Sequence, residues 1–200
     1  MSVMQLFGAL VMPEKGEGRD RGEALLVQRL RRSDPAAVGA VYDQHHAAVR
    51  AFARRLLGDE AAAEDLVHEV FVNLPNAMRR FEGNSSLRTF LISIAVNHAR
   101  HHVRSATRNR AAMARYAREP EASVQDPEHL AHRASLARAL AGALDALPME
   151  QRVAFVLFEV DEYTSREAAE IMGVPEATVR TRVFHARQKL RALLEQQGIR

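Results

Sequence analysis

The side chains in this chain that could do chemistry point to recognition of a polyanion rather than to bond breaking. Thr178, Arg180, Thr181, Arg182, His185, Arg187 and Gln188 crowd into one short stretch near the C-terminus. Arginine and glutamine pair bidentately with the guanine and adenine edges of a DNA major groove, and threonine contacts a base or a phosphate. A second basic run, from Asn97 to Arg118, holds Arg100, Arg104 and Arg108 and no acidic residue. An uninterrupted run of that kind suits phosphate contact.

Catalytic readings fare worse. The chain has no cysteine, which excludes disulfides, thiolate metal sites and a thiol nucleophile. His98, His101 and His102 have helical spacing, but no acidic residue near them in sequence completes a ligand set. His98 and His101 also continue the apolar stripe of Leu87, Phe90 and Ile94, so they read as core or DNA-facing residues. His68-Glu69 is not a metalloprotease motif, because Val72 stands where the second histidine belongs. There is no nucleophile–base pair and no glycine-rich phosphate loop. The expectation is a protein that is not an enzyme and carries neither cofactor nor metal.

Composition bounds the architecture that must position these residues. The chain is 47% hydrophobic, enough for a packed core, and its 200 residues allow one or two domains. Alanine, leucine, arginine and glutamate abound, and alternating β-branched runs are missing, so an all-α fold is expected. The net charge of +3 suits a polyanion partner but is too small to settle the matter, so the placement of charge carries the argument. No apolar run reaches the length of a membrane span. The mildly apolar stretch from Met1 to Met12 lacks a basic leader and a cleavage site, so a cytoplasmic protein is expected.

Punctuation then divides the chain. Residues 1–22 read as a flexible tail, polar and glycine-rich from Pro13 onward. A helix over Glu23 to Arg32 is followed by Asp34-Pro35, an N-cap with proline at the first helical position. The next helix carries Val38, Val41, Tyr42, His45, Val49, Phe52 and Leu56 and stops near Gly58. Asp59 caps another, which runs to about Leu74, and Pro75 kinks or ends it. Phe81 to Ser86 form a loop, and Ser85 or Ser86 caps a helix through about Arg104. A linker is placed at 105–126, broken by Pro120 and Pro127, and a second helical unit at 127–200.

That second unit begins with Leu136, Leu140, Leu144 and Leu147 on one face, then Pro148, then Val153, Val156, Leu157 and Val160. Thr164 or Ser165 caps a short helix to Met172, Gly173 supplies a tight turn, and Pro175 opens a longer helix. The longer helix buries Val179, Val183, Ala186, Leu190 and Leu193 and turns its polar residues outward. This is the logic of a helix-turn-helix, whose second helix enters a major groove. The plainer alternative is a solvated basic helix in a bundle. A stand-alone helix-turn-helix regulator would need nothing more than this unit.

The rest of the chain narrows the choice. Ala63 to Phe71 resembles the polymerase-binding signature of extracytoplasmic-function (ECF) sigma factors, members of the sigma-70 superfamily of bacterial RNA polymerase. So do Phe81 to Leu91 and the run Ile94-Ala95-Val96-Asn97. Leu144 to Pro148 with Gln151-Arg152 look like the entry to sigma region 4, and Thr178 to Arg182 with Ala186-Arg187 resemble its recognition helix. Order and spacing agree over about residues 23–196.

The resemblance implies two small helical domains, region 2 (23–104) and region 4 (127–200), joined by a linker. It implies core RNA polymerase and promoter DNA as partners, an anti-sigma factor, and no direct membrane insertion. It assigns Asp65, Leu66, His68, Glu69 and Phe71 to the polymerase clamp. It assigns Phe81, Asn84, Ser85, Ser86, Arg88, Asn97, Arg100 and Arg104 to the −10 element, with the loop holding a flipped base. It assigns Thr178, Arg180, Thr181, Arg182, His185 and Arg187 to the −35 element. The chain departs from the family pattern at His68, commonly glutamine, at Phe90, often tryptophan, and at His185, often arginine.

Overall fold

The computed structural model describes residues 20–32, 34–113 and 139–199. Most of the expected tail, the linker beyond 113, and Pro127 and Leu136 lie outside them. Among the described residues every regular element is helical.

Helix α1 spans Asp20–Arg31 and α2 spans Pro35–Leu57. The Asp34 carboxylate caps α2 by accepting from the Ala36 N–H at 2.9 Å. Arg29 donates its Nε–H to the other Asp34 oxygen at 2.8 Å, and this bond leads the effects that hold the carboxyl below its ordinary range. Gly58 ends α2 with φ of 70°, and its N–H bonds the Arg54 carbonyl. Asp59 then caps α3, Glu60–Ala77, by accepting from Ala62 N–H at 2.7 Å.

Three boundaries differ from expectation, the first being that α1 begins at Asp20, inside the stretch read as tail. Pro75 does not end α3: the helix continues to Ala77 and tightens into a 3₁₀ turn at Met78–Arg80. A proline that close to the end removes a hydrogen bond from the last turn only. Helix α4, Leu87–Met113, outruns its expected end at Arg104 and enters the stretch read as linker. Ala106, Ala111, Ala112 and the intervening arginines are strong helix formers, and neither glycine nor proline interrupts them before Pro120.

In the second unit, residues 139–145 are helical and Pro148 precedes α5, Met149–Phe155. The chain continues as a π-helical turn, Val156–Val160. Helix α6, Ser165–Met172, starts with a full capping box: Thr164 Oγ accepts from Glu167 N–H, and the Glu167 carboxylate accepts from Thr164 N–H. Gly173 turns the chain with φ of 65°, and α7 follows at Glu176–Gln196.

Helices α2, α3 and α4 pack around Val41, Val49, Phe52, Leu56, Leu66, Val70, Leu74, Leu87 and Leu91, all essentially inaccessible. The same core continues without a break into Val153, Leu157, Ala168, Ile171 and Val179, so the two units are packed against each other. A smaller cluster, with Leu144, Leu147, Phe155, Ala186 and Leu190, pins α7 to α5 and to residues 139–145.

Leu66 is fully buried, so Leu66→Ala should cost about 2–5 kcal/mol. Its exposed neighbour Asp65 should tolerate Ala within about 0.5 kcal/mol. Urea midpoints of the two variants check this, and equal destabilisation would mean that α3 packs on another face.

Candidate nucleic-acid interface

Helix α3 turns one polar face outward. Asp65 and His68 are exposed, Glu69 is half-buried, and Val72 stands 59% exposed among them. At the start of the helix Arg50 and Arg54 of α2 take up Glu60, and Arg50 also pairs with Glu64. No such arginine reaches Asp65 among the described residues. Glu69 faces α4, where its Oε2 lies 2.9 Å from His98 Nδ1. That pair places His98 at the helix seam beside a carboxylate, while His101 is exposed. The side chain of His102 lies outside the described residues. Among those described, no group of histidine and carboxylate side chains is placed to hold a metal.

Leu66 and Phe71, assigned to the polymerase clamp from the sequence, are in the core at 0% and 6% exposure. Their position on the apolar side of α3 removes them from direct contact with a partner. They hold the helix from which Asp65, His68 and Glu69 project.

The loop before α4 is fixed at both ends and open at its tip. Phe81 is buried, with its ring centroid 4.7 Å from that of Phe90, so it packs in the core rather than facing a base. Arg31 donates to the Phe81 carbonyl at 2.6 Å. Ser86 Oγ accepts from the Thr89 N–H at 3.1 Å, which makes Ser86 the cap of α4. Between these supports Gly83 adopts φ of 84°, and Gly83 and Asn84 are exposed, with Ser85 partly so. Asn84 donates its side-chain N–H to Glu82 at 3.0 Å.

Along α4, Asn97 is exposed and accepts from Arg100 at 3.1 Å. Arg100 also makes a bidentate pair with Glu150 of α5, at 2.8 and 3.0 Å, and donates to the Met172 carbonyl of α6 at 3.2 Å. Burial raises the pKa values of Asp161 and Tyr163, and the charge of nearby Arg88 on α4 opposes that rise at both. Arg104 is on α4, but its side chain lies outside the described residues.

The helix-turn-helix presents α7. Arg180, Thr181, His185 and Arg187 are exposed, and Thr178 and Arg182 are half-buried. Thr181 donates its hydroxyl to the Ala177 carbonyl at 2.9 Å. Phe184 is 55% exposed, with its ring edge-on to His185 at 5.6 Å. Each arginine here meets a carboxylate: Arg180 meets Glu176 at 3.3 Å, Arg182 meets Glu150 at 2.8 Å, and Arg187 pairs with Glu159.

Sequence reasoning missed these carboxylates, and with them Arg55 and Asp161, which pair across the two units. Glu176 and Arg180 are four apart on one helix, a spacing legible in the sequence; no signal announces the other pairs, because their partners stand tens of residues apart. Asp161 is nearly buried, and that burial raises its carboxyl above the ordinary value despite the opposing pull of Arg55.

The comparisons agree with this arrangement. The family model "Sigma-70 region 2" matches residues 41–109, and "Sigma-70, region 4" matches residues 137–190. The RNA polymerase sigma-H factor of Pseudomonas aeruginosa is 26% identical over 85% of this chain and 92% of its own. The ECF RNA polymerase sigma-E factor of Escherichia coli K12 is 29% identical over 84% of this chain and 92% of its own. The structure of CnrH with the cytosolic domain of CnrY superposes with a TM-score of 0.61 at 26% identity, over 87% of this chain and 97% of that one. The sigma factor RpoE of Bartonella quintana, solved with the anti-sigma factor NepR, shares the fold at a TM-score of 0.56 and 23% identity, over 90% and 98% of the two chains.

A region 2 fold followed by a region 4 helix-turn-helix defines a DNA-binding initiation factor. The chain belongs to the sigma-70 family, in its extracytoplasmic-function group. It is an alternative sigma factor, which directs promoter-specific transcription initiation by core RNA polymerase.

The buried Asp161 predicts a pH effect. Because its pKa is raised in the folded chain, its contribution to stability is full below the ordinary carboxylate pKa and is lost as pH rises through the raised value. Asp161→Asn removes that dependence. The stability of the natural chain minus that of the variant should fall between acidic and neutral pH in thermal melts, and a flat or rising difference would contradict the burial argument.

Proposed function

We propose that residues 23–104 act as region 2 and 127–200 as region 4, with the outer face of α3 docking on the polymerase clamp. The observation that carries the docking surface is the unequal treatment of the acids on α3. Arg50 and Arg54 occupy Glu60 and Glu64, whereas Asp65 projects into solvent with His68, Glu69 and Val72 around it. An acidic patch repels DNA and attracts a basic protein surface.

In this reading the exposed tip of the loop, Gly83 to Ser85, receives an unstacked base of the −10 element, with Ser86 and Phe81 fixing the loop beneath it. Small polar groups and open backbone suit hydrogen bonding to a base edge. Arg88, Asn97, Arg100 and Arg104 follow the −10 strand along α4. On α7, Thr178, Arg180, Thr181, Arg182, His185 and Arg187 read the −35 element, with those nearest the helix N-terminus deepest in the groove. The protein supplies recognition and strand separation and performs no bond-making chemistry itself.

A cytoplasmic site of action and an anti-sigma partner belong to the same proposal. No described helix is long and apolar enough to cross a membrane, and the relative from Bartonella quintana was captured with an anti-sigma factor. A stand-alone regulator would not require the polar face of α3.

The double variant Asp65→Lys with Glu69→Lys should keep its helical circular dichroism and lose co-migration with core RNA polymerase on gel filtration. Undiminished co-migration would refute the docking face. Arg180→Ala should lower initiation on a promoter selected by the reconstituted holoenzyme about tenfold, in line with the ~1–3 kcal/mol of a bidentate base contact. An equal loss on a template with a scrambled −35 element would remove Arg180 from −35 reading.

A further inference from the structure

Two ionisable side chains meet where α3 packs on α4, at the edge of the polar face of α3. Glu69 Oε2 lies 2.9 Å from His98 Nδ1, with the Glu69 side chain 40% exposed and that of His98 28%. His98 stands one turn beyond Ile94 and two beyond Leu91, both buried, so the packing of α4 fixes where its ring stands. A carboxylate only accepts hydrogen bonds, so Nδ1 carries the proton between the two groups.

The other charged and titratable groups nearby lie to either side of the pair. On α3, Asp65 is one turn back and His68 adjoins, both exposed. On α4, His101 and His102 follow one turn on, while Arg100 turns away to Glu150 of α5 and the Met172 carbonyl of α6. Tyr42 of α2, with His46 stacked on it, meets α3 at Phe71. Phe71 is two residues from Glu69 and so on nearly the opposite side of the helix. His45 of α2 is half-buried on the stripe of Val41 and Val49.

We propose that His98 is a positioning residue for the docking face, setting the direction and net charge of the Glu69 carboxylate and so tying polymerase binding to pH. The proposal rests on the assignment of Glu69 to the polymerase clamp. A neutral imidazole donating from Nδ1 holds the carboxylate and leaves its negative charge to a partner. A protonated one cancels that charge and sets a cation beside the basic group that docks there. Docking of a basic surface therefore favours the neutral ring, and binding releases a proton wherever the free chain carries the ring charged. Affinity is full above the range in which an imidazole ordinarily titrates and declines as pH falls through it.

Affinity of the full chain for purified core RNA polymerase is measured from about pH 8 to about pH 6, the window of imidazole titration. His98→Gln keeps a neutral donor at this position, and His98→Lys keeps a permanent charge. The ratio of parent to variant cancels the titration of polymerase itself. The expected result is equal binding of parent and His98→Gln at the alkaline end, and a parent about three- to fivefold weaker at the acidic end, as suits a partly exposed pair. His98→Lys should be weaker than His98→Gln at both ends. A constant ratio of parent to His98→Gln across the range would overturn the proposal, as would His98→Lys binding as tightly as His98→Gln. So would a pH dependence that His68→Gln or His102→Gln removes and His98→Gln keeps. The double variant Asp65→Lys with Glu69→Lys separates the two levels of the argument. If it binds polymerase as the parent does, the clamp assignment falls and the role of His98 with it. If it loses binding while the ratio of parent to His98→Gln stays constant, the role of His98 falls alone.

Discussion

A guanidinium cannot shed its charge, so a buried arginine dictates what surrounds it. Arg152 is 8% exposed and sits where the two halves of the protein meet. It donates to the Leu56 carbonyl at 3.1 Å, to Asp145 Oδ1 at 2.7 Å and to the Asp145 carbonyl at 2.5 Å. Leu56 is in the last turn of α2, where carbonyls lack helical partners and the helix dipole is negative. Asp145 closes the helical segment 139–145. One side chain thus joins α2, α5 and that segment. The turn at Gly58 beside it takes φ of 70°, which disfavours side chains, while a Cβ there would meet the Asp145 carboxylate only at an ordinary contact distance of 3.5 Å.

The ion pairs that cross this junction run one way. The first unit brings Arg55, Arg88 and Arg100, and the second brings Glu150 and Asp161. A chain that binds DNA with arginine and also carries carboxylates must keep the two together when DNA is absent, or pay repulsion on each surface separately. The pairs Arg182–Glu150 and Arg187–Glu159 do the same on the recognition helix. The apolar core supplies the adhesion between units, and the ion pairs fix which face meets which, since misaligned charges at a half-buried seam lose their partners without regaining full solvation.

What the sequence discloses is local. Asp34, Asp59 and Thr164 as caps, Gly58 and Gly173 as turns, and the apolar stripes of α3 and α7 follow from rules that span a few residues, and the structure has each of them. The reach of α4 was harder to see, because the apolar signal fades at Ser105 while helix propensity persists to Met113. Phe71 and Phe81 show another limit. A motif marks the stretch in which a partner contact lies, but side-chain direction decides which members touch the partner, and these two point into the core. The seam is the least legible part. Glu150, Glu159 and Asp161 look like ordinary surface acids until α4 and α7 are brought alongside them.

The π-helical turn shows how such acids come to be aimed. Residues two apart on a helix lie on nearly opposite sides, and Glu159 and Asp161 use that separation: Glu159 meets Arg187 of its own unit, and Asp161 meets Arg55 of the other. A regular α-helix through Val160 would rotate both away from the directions set upstream by Val153 and Val156, which are fixed in the core at 0% exposure. The wider turn at Val156–Val160 absorbs the difference, leaving the apolar face seated while the chain beyond it is redirected. It ends with Asp161 N–H bonded to the Val156 carbonyl and Tyr163 N–H to that of Leu157. The same turn therefore delivers the chain to Thr164 and the capping box of α6, so that the pitch of one helix sets both the acidic contacts of the seam and the starting point of the helix-turn-helix.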